Sequence, residues 1–108
     1  MTPATNYATS DLQRETADTL QGLVILQFGT NGCGHCQNAQ LLIEPAMALR
    51  PDVARHLIED GAGRPLGRSY RVKQWPTLVL LRDGKEVGRL VRPQDAGQLQ
   101  GLLKLASE

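Results

Sequence analysis

The sequence carries almost no net charge: 12 Lys and Arg against 11 Asp and Glu leave +1 over 108 residues. Nucleic acid and anionic membrane surfaces both require a concentrated basic field, so neither is an expected partner. Long apolar runs are missing too. The longest, Gly22 to Phe28, is far too short to span a bilayer, and residues 1–10 hold no Lys or Arg to open an export signal. A soluble, cytoplasmic chain is therefore expected. Cysteine is scarce: Cys33 and Cys36 are the only two, and a single close pair cannot form the framework that staples small secreted domains. Repeats, linkers and low-complexity tracts are absent, and 41% hydrophobic with 21% charged residues lies far from the signature of disorder. What remains is a single monomeric domain, residues 10–108, behind a loosely held terminus at residues 1–9.

The charge that is present is unevenly spread. Residues 1–60 hold three Lys/Arg against seven Asp/Glu, and residues 61–108 hold nine against four. Either a solvated surface or a partner-selecting face would account for the basic second half.

Ser10 or Asp11 reads as the N-cap of a helix that carries Leu12, Thr16 and Leu20 on one face and stops at Gly22. The run Leu23 to Phe28, broken only by Gln27, has the length and β-branched content of a central strand covered on both faces. A Gly- and Asn-rich turn then leads into a helix over 34–49. Its apolar positions are Ala39, Leu42, Ile43, Ala46, Met47 and Leu49, with Pro45 placed to kink or interrupt it. Val53 to Ile58 reads as a second strand, and Pro65, Leu66 and Tyr70 suggest a short helix. Thr77 to Arg82 and Glu86 to Val91 flank Asp83-Gly84, a strong hairpin signal. Pro93 or Asp95 opens a last helix with Leu99, Leu102, Leu103 and Ala106 as its buried stripe. This order predicts an α/β fold with a mixed sheet and helices on both faces.

Cys33-Gly34-His35-Cys36 is the strongest chemical signal. A pair at this spacing, entering a helix directly after a buried strand, brings two sulfurs within bonding range. The unpaired N–H groups and dipole of the helix start stabilise a thiolate at Cys33, which is the expected attacking sulfur, and Cys36 resolves the mixed disulfide. His35 can add positive charge that favours the reduced state. Metal binding is the competing chemistry. Zinc wants four ligands, and beyond the cysteines the chain offers only His35 and His56. Covalent haem attachment needs His directly after the second cysteine, where Gln37 stands.

Cys-Gly-His-Cys after a Phe-ended strand, Trp75-Pro76-Thr77 some forty residues later, an Asp-Gly hairpin and a final amphipathic helix together resemble the thioredoxin family over about residues 10–106. The resemblance implies a thioredoxin fold with four or five strands, and a thiol–disulfide oxidoreductase that works with no cofactor. Its partners would be disulfide-containing proteins and a thiol reductant or reductase. It also implies a cis Pro76 that, with Trp75 and Arg92, borders the substrate groove, while the Gly-His between the cysteines is similar to that of disulfide isomerases. A thioredoxin-fold binding module without turnover, or a metal-binding module, stands as the alternative. Gln27 takes the place of a buried acid, Gly32 of a Trp and Arg92 of a Gly, and the N-terminus shows no extra strand. Without that acid the Cys36 proton must go elsewhere, with His56, His35 or water as candidate acceptors.

Overall fold

A computed structural model describes Tyr7 and residues 12–107. The elements are α1 (Arg14–Ala17), β1 (Leu23–Gly29), α2 (Gly34–Ala48), β2 (Ala54–Glu59), α3 (Pro65–Ser69), β3 (Thr77–Arg82), β4 (Lys85–Val91) and α4 (Ala96–Leu105). Among the described residues the sheet has four strands in the order β2-β1-β3-β4. β1 runs parallel to β2, across the α2 crossover, and antiparallel to β3. Asp83 and Gly84 both take positive φ, as a two-residue hairpin turn between β3 and β4 requires.

Strand alternation sends the two sides of β1 into two cores. Ile25, Leu78 and Leu80 pack with Ile43 and Met47 of α2 and with Leu99, Leu102 and Leu103 of α4. Val24, Leu26, Phe28, Val79 and Leu81 pack on the other face with Ala17, Leu66 and Tyr70. Each such side chain, fully buried, stabilises the fold by roughly 1.5–3 kcal/mol. Asp95 caps α4 by accepting the Gln98 N–H at 3.0 Å.

Several expectations need correction. The first helix is only four residues long and begins after Gln13, which makes no side-chain cap. The Thr19 hydroxyl takes the Thr16 carbonyl at 2.7 Å, a local bond that competes with continuing the helix. Ser10 and Asp11, read as its caps, lie outside the described residues, as does most of the terminal stretch 1–9. Pro45 does not interrupt α2. Leu49 is 80% exposed, because the helix has ended and it serves as the C-cap. No helix among the described residues is long and apolar enough to cross a membrane.

Candidate active site

β1 ends at Gly29, and a short turn, with the Cys33 N–H donating to the Thr30 carbonyl at 3.4 Å, delivers the chain to the start of α2. Cys33 is the N-cap. Its backbone is extended, and its Sγ accepts the Cys36 N–H at 3.2 Å, as a serine hydroxyl does at an ordinary N-cap. A sulfur so placed takes up one of the orphan N–H groups of the helix start, where negative charge is favoured. Both cysteines are free thiols, but they differ in access: Cys33 is half-buried and Cys36 only 1% exposed.

Gly29 is required by close approach. A Cβ there would sit 2.6 Å from the Tyr7 ring carbon Cζ and 2.7 Å from Cys36 Sγ, so only glycine lets these two groups meet. Tyr7 belongs to the stretch expected to be loosely held, yet it is 5% exposed. Asn31 fixes it by using both ends of its amide: Oδ1 accepts the Tyr7 N–H at 2.7 Å, and Nδ2 donates to the Tyr7 carbonyl at 3.0 Å. Gln27, fully buried, donates from Nε2 to Tyr7 Oη at 2.7 Å and to Gln40 Oε1 at 3.0 Å. Gln27 Oε1 has no partner among the described residues.

Burial pushes the Cys36 thiol up to about 11, and the hydrogen bond with Cys33 adds to it, while the Thr30 backbone and the Tyr7 hydroxyl pull the other way by favouring the thiolate. Burial likewise holds the Tyr7 phenol above its ordinary value, against a lowering by the Gln27 bond. Such a phenol donates a hydrogen bond and does not act as a base near neutral pH.

His35 is exposed at the first turn of α2. His56 is removed from the candidates for the Cys36 proton. The parallel register pairs it with Leu26, and it shares a strand face with Ile58, so it lies on the sheet face away from Gln27 and Cys36 and is exposed. No group of three or more His, Cys, Asp or Glu among the described residues could hold a metal ion.

The register places Phe28 opposite Thr77, and Thr77 opposite Val91. The Cys33 turn, the Trp75–Pro76 segment and Arg92 therefore leave the sheet at one end. The Trp75–Pro76 bond is cis and Pro76 is buried. Trp75 Nε1 donates to Asp60 Oδ2 at 2.9 Å, reaching across the end of β1 to the residue after β2. Arg92 has φ +47, the region that favours glycine, at a cost of about 1–2 kcal/mol. Its backbone N–H donates to the Pro76 carbonyl and its Nε to the Trp75 carbonyl, both at 2.9 Å. Tyr7 and Asn31, beside the cysteine pair, and Asp60, bonded to Trp75, are neighbours of the candidate site that sequence reasoning missed. Each is a single residue outside any periodic pattern, and none stands within a motif.

Comparison with known proteins agrees with this geometry. The family model for thioredoxin matches residues 5–105. The chain is 36% identical over 98 residues to thioredoxin of Chlamydia trachomatis serovar D, covering 89% of this chain and 92% of that protein. It is 32% identical over 84 residues to protein disulfide-isomerase A3 of Gallus gallus, covering 77% of this chain but 17% of that much longer protein. Among solved structures, thioredoxin 2 of Pseudomonas aeruginosa PAO1 in its reduced form is 44% identical and superposes with a TM-score of 0.87, over 97% of this chain and 98% of that one.

Proposed function

The chain belongs to the thioredoxin family and is a thiol–disulfide oxidoreductase, and from that premise we propose that Cys33 attacks the substrate disulfide and Cys36 resolves it. The Cys33 thiolate bonds to one substrate sulfur and the other leaves as a thiolate. Cys36 then attacks Cys33 Sγ, forming the intramolecular disulfide and releasing the second substrate thiolate. Two electrons pass from the dithiol to the substrate, so the exchange balances without a cofactor, and a thiol reductant or reductase restores the dithiol. The observation that carries the assignment is the asymmetry of the pair: the half-buried Cys33 sulfur caps α2, whereas Cys36 is sealed beneath it.

Iodoacetamide alkylation tests the assignment. Cys33 is expected to react near neutral pH and Cys36 to stay protected until pH approaches 11 or the fold opens. Equal rates for the two thiols would overturn it. His35 is exposed beside Cys33, and the same rates measured in His35→Ala report what the imidazole adds.

For the groove we propose that Trp75, Pro76 and Arg92 border the bound substrate, with Trp75 held by Asp60 and Arg92 folded onto the Trp75 carbonyl. Trp75 also lines a cavity of about 480 Å³ whose charged walls are Arg64, Arg68, Arg71 and Lys73 against the one acid, Asp60. This basic rim favours acidic disulfide partners. Replacing Lys73 and Arg92 together by Gln is expected to lower the ratio of rates for acidic over basic disulfide peptides several-fold and to flatten its salt dependence. An unchanged ratio would remove charge selection from the account.

A further inference from the structure

Resolution makes an awkward demand on this site. Cys36 must become a thiolate in a buried position, and the neighbouring strand residue, Gln27, cannot take its proton. The histidines do not help: His35 is exposed, and His56 lies on the other face of the sheet. Glu44 is the one charged residue among the described residues lining the cavity beside Cys36, and it is tied to Arg55 at 2.6 Å. The groups that do face the sulfur are Cys33, the Thr30 backbone and Tyr7. With Gln40 Oε1 as its second acceptor, the Gln27 amide presents its nitrogen to the phenol. Tyr7 Oη therefore accepts from Gln27, and its own proton is left for the Cys36 sulfur, which flanks with the Tyr7 ring the space that a Cβ on Gly29 would fill.

We propose that Tyr7 is a catalytic residue whose hydroxyl donates a hydrogen bond to the Cys36 thiolate during resolution, and that Gln27 positions it. The inference rests on Cys36 being the resolving thiol. The Cys36 proton leaves to solvent through the cavity of about 500 Å³ whose walls include Tyr7, Cys36, Gln37 and Gln40. The thiolate, steadied by Tyr7 and the Thr30 backbone, attacks Cys33 Sγ. The Cys33–substrate bond breaks, its electron pair departs on the substrate sulfur, and that thiolate takes up a proton from solvent. Tyr7 keeps its proton throughout. The Gln27 bond makes the phenol a better donor, because hydrogen bonds in a chain polarise one another. A donor to a buried anion is worth more than a neutral pair, since the anion has lost its water.

The test is Tyr7→Phe, which keeps the ring beside Gly29 and removes only the hydroxyl. Stopped-flow measurement separates formation of the mixed disulfide from its decay. Decay is expected to slow about tenfold near neutral pH, with its pH profile displaced by about one unit to higher pH, while formation is unchanged. Superimposable decay profiles, or equal slowing of both steps, would overturn the role of Tyr7. Fluorotyrosine placed at position 7 covers the case in which Tyr7→Phe does not fold: a more acidic phenol is a stronger donor, so decay should quicken, and an unchanged rate again overturns the proposal. Cys36→Ser tests the underlying assignment separately. If it fails to accumulate the mixed disulfide, the resolving role of Cys36 is what fails.

Discussion

Cys33→Ser is expected to reduce insulin disulfide reduction to the uncatalysed background, and Cys36→Ser to leave the first attack intact but hold the substrate as a long-lived mixed disulfide. The two outcomes differ because the two sulfurs do. Cys36 cannot replace Cys33: it is 1% exposed, and burial, the largest cause of its raised pKa, remains in the variant and disfavours the thiolate near neutral pH. Once Cys33 is bonded to substrate, however, Cys36 lies one turn further into the same helix and meets the disulfide without diffusing. Residual activity in Cys33→Ser close to that of the parent would contradict the roles outright.

Gln27→Asp is expected to give the largest loss of stability. The position is fully enclosed, and the amide nitrogen that bonds Tyr7 and Gln40 is replaced by a shorter side chain with acceptors only. Burial favours the neutral carboxyl and so raises its folded-state pKa above the unfolded value of about 3.9. Below the unfolded value both states are protonated, and only packing and hydrogen bonds are lost. Above it the unfolded chain ionises while the folded one resists, so the deficit widens by up to ~1.4 kcal/mol per pH unit until the folded pKa is passed. Near neutral pH the total is about 3 kcal/mol or more, which in a domain of this size lowers Tm by roughly 10–20 °C. Thermal unfolding at pH 4 and pH 7.5 checks this. A deficit equal at both would mean that the introduced carboxyl reaches water.

Much of the fold was legible because it rests on patterns that repeat within one element. The apolar run of β1, the Asp83-Gly84 turn and the stripe Leu99, Leu102, Leu103 and Ala106 each encode their structure within ten residues or so. The cysteine pair was legible for the same reason, since its spacing and its place at a strand-to-helix turn are local. The surroundings of the pair were not. Tyr7 meets Gln27 across 20 residues and Asn31 across 24, and Asp60 meets Trp75 across 15, with no periodic signal to announce any of them. Parity was a second obstacle. Whether His56 shares a face with Gln27 turns on a register in which Gln27 pairs with Leu57, and a one-residue slip would have reversed the answer. Arg92 was recognised at a position resembling a glycine, but only its positive φ and its bond to the Trp75 carbonyl show how an arginine is accommodated there.

Mass spectrometry of the adduct trapped in Cys36→Ser tests the central claim most directly. Incubated with a disulfide peptide and digested without reduction, the variant should carry the peptide on Cys33 in a single mixed disulfide, and restoring Cys36 should release it with formation of the Cys33–Cys36 bond. An untrapped Cys36→Ser that still reduces the peptide at the parent rate, or release from the parent protein without the intramolecular disulfide, would contradict the two-sulfur mechanism.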